Sequence, residues 1–239
     1  MKKLLLFGMC LWMGLSAVAQ TYSYSDIAQQ YPLSSDNGKK VVSGFIPLSG
    51  KTDQTIFANA LLWTIDQISP KMREGIRNIN FNRLSFECNY VLQSDEEGKS
   101  KNTYYFKGEW RVNEGKLVYY LSDILVESPS LLMKKVTAID KLQPEKKESH
   151  KLTVDDFIKT ESYILNQMFD FVTNHKLQKI TYWEEIKIAK PTKGMNEDEC
   201  RLAFGKPQTI LVNDQETQWM YSSSFYLFFK NGKVNTIIK

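Results

Sequence analysis

Leu84-Ser85-Phe86-Glu87-Cys88-Asn89-Tyr90-Val91-Leu92 is the stretch on which the fold turns. Leu84, Phe86, Cys88, Tyr90 and Leu92 fall on one side of an extended chain, and Ser85, Glu87 and Asn89 on the other. That alternation predicts a strand with one face buried and one in water. The charged run Asp95-Glu96-Glu97-Gly98-Lys99 reads as a hairpin loop. The next segment repeats the pattern, with Tyr104, Phe106, Gly108, Trp110 and Val112 inward and Tyr105, Lys107, Glu109 and Arg111 outward. Asn113-Glu114-Gly115-Lys116 then turns the chain into a third strand, Leu117 to Val126. Strands joined so briefly form an antiparallel meander with one wet face.

Helices are expected on either side of the meander. Val41–Pro47 alternates as an earlier strand, and Ser49 to Asp53 offers N-cap chemistry. Phe57, Leu61, Thr64, Ile65 and Ile68 then recur at helical spacing, with Pro70 as the stop. Downstream, the Lys-rich residues 134–151, with Pro144, read as an exposed loop. Thr153-x-x-Asp156 has capping-box form and predicts a helix from there to about Thr173. Its stripe of Phe157, Ile164, Met168 and Phe171 is widened by Ile158, Leu165, Phe169 and Val172, a face broad enough to pack on a sheet.

A second unit is expected from about Ile180. Ile186 to Ala189 reads as a short strand. Asn196 is placed to cap a helix whose first turn carries Glu197, Asp198 and Glu199, with Gly205 and Pro207 ending it. Strands at Gln208–Val212, Gln218–Tyr221, Phe225–Lys230 and Lys233–Ile238 follow, the last two joined by Asn231-Gly232. The expected fold class is α+β, with two small domains at 41–176 and 180–239, each an antiparallel sheet packed with helices, after an extended lead-in at 20–40.

The N-terminus carries an address. Lys2 and Lys3 precede the apolar run Leu4 to Leu15, and Ala17-Val18-Ala19 is a small-residue cleavage site, so residues 1–19 read as a secretory signal peptide cut after Ala19. The run is too short for a membrane span. Met9, which is not small, precedes Cys10, and the apolar run continues past it, against lipidation there. The chain of 239 residues has a formal charge of +4, which falls to +2 once Lys2 and Lys3 leave with the leader. So small and dispersed an excess does not suit a dedicated nucleic-acid binder. The expected location is periplasmic or extracellular.

Two resemblances follow from these residues. Gly194-Met195 with Glu199-Cys200, then Gly205-Lys206-Pro207, Trp219-Met220-Tyr221 and Phe229-Lys230-Asn231-Gly232-Lys233-Val234 resemble the BamE-like domain of outer-membrane-assembly lipoproteins in order and spacing. The resemblance implies a fold for 180–239. The strand-helix opening with Phe57, Ala60 and Trp63 before the meander is similar to the secreted domain-of-unknown-function family 4468, which implies a TATA-binding-protein-like fold and export, with no activity attached.

Signals for chemistry are few. Cys88 and Cys200, the cysteines left after leader removal, are either two buried thiols or one bridge between the units. His150 and His175 have no His or Cys partner at metal-ligand spacing. Ser49-Gly50-Lys51-Thr52 ends like a phosphate loop, but Phe45 stands where its first Gly belongs. The acidic groups at Asp155-Asp156, Glu184-Glu185 and Glu197 to Glu199 are mostly accounted for as helix starts. No catalytic, cofactor or metal residue is therefore assigned. Trp219, Tyr221, Phe225, Tyr226, Phe228 and Phe229 crowd two neighbouring strands. Either both faces of that sheet are covered, or Trp219, Tyr221, Tyr226 and Phe228 form an exposed strip for an envelope protein or polymer. The expectation is a non-enzymatic exported binding or assembly module, with an envelope hydrolase using carboxylates, or an inhibitor-like module, as the alternatives.

Overall fold

The meander is built as its alternation requires. In the computed structural model, β4 (Ser85–Gln93), β5 (Thr103–Asn113) and β6 (Lys116–Ser128) pair antiparallel in sequence order. Phe86, Cys88, Tyr90, Tyr104, Phe106 and Trp110 are buried on one face. The structure describes residues 34–36, 39–48, 50–67, 76–93, 102–128, 135–138, 141–142, 146–213 and 216–239. The expected leader and most of the lead-in, the Pro70 stop and the 95–99 hairpin loop lie outside them.

The meander is the centre of a larger sheet. β1 (Ser34–Asp36) and β2 (Lys39–Pro47) form a hairpin, and β3 (Ile76–Asn80) pairs with β4, giving the order β1-β2-β6-β5-β4-β3. β7 (Lys135–Ala138) joins the far half of β6, beyond the stretch that pairs with β2. The pairing of β5 with β6 shifts by one residue between Tyr105/Lys107, and Asp123 there takes a positive φ of 52°. This bulge changes the phase of β6: Leu117, Tyr119 and Leu121 are buried before it, Ile124 and Val126 after it.

Two helices cover the inner face. α1 (Asp53–Gln67) starts where Thr52 Oγ1 accepts from the Thr55 N–H at 3.2 Å. The single stripe expected for it is too narrow a description, because every residue from Ile56 to Ile65 is buried. A helix enclosed on all sides has no polar face. α2 runs from Glu148 to Asn174. The expected start at Thr153 is corrected: Thr153 lies inside the helix, its Oγ1 donating to the Ser149 carbonyl, and Asp156 instead accepts from Tyr104 and Asn102 of the sheet. Asn59 of α1 donates to the carbonyls of Val172 and His175, both at 3.2 Å, fixing the end of α2 on α1.

The second unit opens with α3 (Trp183–Lys187), a short helix where a strand was expected at Ile186–Ala189. α4 (Glu197–Phe204) has a complete capping box: Asn196 accepts from the Glu199 N–H, and Glu199 accepts from the Asn196 N–H. Gly205 ends it at φ 77°. β8 (Thr209–Val212), β9 (Thr217–Ser222), β10 (Phe225–Lys230) and β11 (Lys233–Ile238) form a meander in the order β11-β10-β9-β8. Asn231 and Gly232 both take positive φ, as the turn between β10 and β11 requires.

One apolar core runs through both units. Trp183 packs edge-on against Phe57 and Phe81 of the first, and Arg201 on α4 reaches Asp66 on α1 at 3.2 Å. The molecule is α+β, two antiparallel sheets packed with helices. Among the described residues no helix is long and apolar enough to cross a membrane.

Candidate functional site

The crowded aromatics of β9 and β10 divide between two faces, because side chains alternate along both strands. Trp219, Tyr221, Leu227 and Phe229 point to α4 and are buried. There Trp219 lies 4.6 Å from Phe229, centroid to centroid, and Phe204 packs edge-on against Tyr221 and Phe225. Trp219 and Tyr221 are thus core residues, and the expected four-residue strip is corrected to its other half. Tyr226 and Phe228 occupy the opposite face and are half-buried. The register brings Met220 and Ile238 beside Tyr226, and Leu211 onto the same row as Phe228. Leu211 and Ile238 are exposed there.

That outer face ends at an open edge. β8 pairs with β9 and with no other strand among the described residues. All four of its residues, Thr209-Ile210-Leu211-Val212, are exposed, with Val212 at 76%. An edge strand presents unpaired backbone groups, and such edges are usually guarded by Lys, Pro or a covering segment. β8 carries neither Lys nor Pro within its span. The opposite edge, β11, begins with Lys233, and a bridge from Asn196 covers its start. Sequence reading singled out the aromatics and passed over Ile210, Leu211 and Val212. The available signal was three successive apolar residues with no alternation, a pattern that suits a strand buried on both faces and here belongs to one exposed on both.

The groups weighed for chemistry have structural employment. Cys88 and Cys200 are free and buried. Burial pushes the Cys88 thiol up to about 12 and raises that of Cys200 as well, which keeps both protonated and unreactive at neutral pH. Asp198 accepts from the Gln178 N–H at 3.0 Å, and Glu199 accepts from the N–H groups of Thr181 and Tyr182. Glu184 pairs with Lys187. His175 stacks on Phe171, with its Nε2 3.8 Å from Asp198; the His150 side chain is outside the described set. On the wet face of the first sheet, Lys107 pairs with Glu87, and Arg111 with Glu109. Among the described residues no three acidic, His or Cys side chains gather as metal ligands.

No family model matches the chain, and no curated protein does. Two solved structures resemble part of it. A TBP-like protein from Parabacteroides distasonis ATCC 8503 is 15% identical with a TM-score of 0.47, covering 60% of this chain and 99% of its own. A DUF4468 family protein from Bacteroides ovatus ATCC 8483 is 9% identical with a TM-score of 0.41, covering 62% of this chain and 94% of its own.

Proposed function

We propose that this protein is an exported, non-enzymatic binding module, and that its partner is an envelope protein that adds an extended segment to β8. The exposed, unguarded apolar edge carries this reading. Backbone pairing along an edge supplies affinity, and side chains of alternating faces supply specificity. Leu211, with Phe228, Tyr226 and Ile238 beyond it, offers apolar contact on one face, and Ile210 and Val212 on the other. Four residues are too few to hold a stable dimer alone, since specific interfaces bury on the order of 1,200 Å² or more; a partner that also covers Tyr226 and Phe228 reaches further. The BamE-like pattern from Gly194 to Val234 belongs with this reading, as does an assembly role. Export to the periplasm or beyond rests on Lys2, Lys3, the apolar run and Ala17-Val18-Ala19.

The test is affinity capture from envelope extract, with identification of what is retained. Wild type is compared with a Leu211→Lys/Val212→Lys double variant, which places charge on the edge without touching the core. A protein held by wild type and lost by the folded double variant is the expected outcome. Capture that ignores both changes, or none at all, refutes the edge as the site. N-terminal mapping of the exported chain checks the leader: a start at Gln20 is expected, and an intact Met1 in the cytoplasm contradicts export.

A further inference from the structure

A second surface, away from β8, has a different chemistry. A cleft of about 550 Å³ opens where α1 begins and α2 ends, lined by Lys51, Gln54 and Thr55 on one side and residues 173–180 on the other. Three lysines, Lys51, Lys176 and Lys179, stand around it with His175, and no Asp or Glu lines it. None of the three lysine ammonium groups makes an ion pair or hydrogen bond among the described residues.

The carboxylates nearest this cleft already hold backbone N–H groups, and Asp198 lies behind its wall, 3.8 Å from His175 Nε2. Asp53 turns to the Gly115 N–H at 2.8 Å. Asp198 and Glu199 take backbone N–H groups of the connector, and Asn196 donates to the Lys179 carbonyl at 3.0 Å. These bonds fix residues 178–182 on α4, so the backbone that carries Lys179 is held in place before any ligand arrives. Like charges held around one cleft repel each other, and an anion that enters it relieves that repulsion.

We propose that this cleft is a binding site for a phosphoryl-bearing anion. The lining has lysines and no arginine. The arginine fork binds planar carboxylate and phosphate alike, whereas lysine offers a compact point charge with rotatable donors. Three such point charges around one cleft suit an anion that concentrates more than one negative charge on a small group, as a phosphoryl group does. The volume exceeds that of phosphate alone and admits a diphosphate, a phosphorylated sugar or a phospholipid headgroup.

The experiment is calorimetric titration of the folded chain with inorganic pyrophosphate, with citrate as a carboxylate of comparable charge, and sedimentation with phosphatidylglycerol or phosphatidylcholine vesicles. Pyrophosphate binding that weakens as salt rises is expected, and a Lys51→Gln/Lys176→Gln/Lys179→Gln variant should lose about tenfold in affinity or more. A Lys230→Gln/Lys233→Gln control, altered at the exposed β10–β11 turn, should bind as wild type does. Binding to pyrophosphate alone assigns a soluble ligand. Binding to phosphatidylglycerol vesicles that the triple variant loses and the control keeps assigns a headgroup. No binding to either, equal binding of citrate, or the same loss in the control overturns the proposal. Unchanged melting of the triple variant separates lost binding from lost folding.

Discussion

Glu161 projects from α2 into the core with both carboxylate oxygens buried and unpartnered. Burial pushes its pKa up to about 8 from the ordinary 4.5. Between those values the folded chain holds a proton that the unfolded chain has released. Stability from this group is therefore fully present below about pH 4.5, declines as pH rises towards 8 and levels off above it. The whole decline corresponds to roughly 4 to 5 kcal/mol. Glu161→Met, of similar length and without charge, should raise stability at neutral pH and flatten the profile. Urea denaturation midpoints between about pH 5 and 9 would show it, and a parallel decline in wild type and variant would count against it. Gly108 makes the complementary point about space: an added Cβ would lie 2.8 Å from the Tyr90 ring and 3.1 Å from Trp110 Nε1. Gly108→Ala should then cost about 1 to 3 kcal/mol, measurable by the same denaturation.

At the scale of elements, α4 depends on one residue more than its length suggests. Asn196 caps it, completes the box with Glu199 and holds the Lys179 carbonyl. Asn196→Ala should cost about 1 to 2 kcal/mol, and hydrogen exchange should rise across residues 178–182 as well as α4. This cap was legible from Asn196 ahead of an acidic first turn, and β4 to β6 from their alternation, because each signal arises from local geometry and one buried face. Other elements gave a weaker signal. α1 has no polar face, so the stripe drawn for it described only part of its buried surface. β3 is polar and carries Asn78 at φ 52°, and β7 is only four residues long. Thr153 to Asp156 mimics a helix start while serving other bonds inside one. The exposure of β8 depends on which strand pairs where, which no local pattern encodes.

Across the whole molecule, the two sheets are joined through α1, α3 and α4 rather than through each other. Trp183 is the apolar part of that joint, and Arg201–Asp66 the polar part. Trp183→Ala should destabilise the fold by about 2 to 4 kcal/mol and split thermal unfolding into two transitions. Calorimetry reads this directly; a single unshifted transition would show that the joint lies elsewhere. The bulge at Asp123 bears on how such a chain can change over generations. Loss of that one residue would return β6 to a regular alternation that keeps Leu121, Ile124 and Val126 on the buried face. A one-residue length change is therefore absorbed at the bulge, whereas one nearer Leu117 would turn part of the buried set of β6 outward. Ancestry should accordingly be readable in that strand as length variation confined to Ser122 and Asp123, with the segment before them fixed in length.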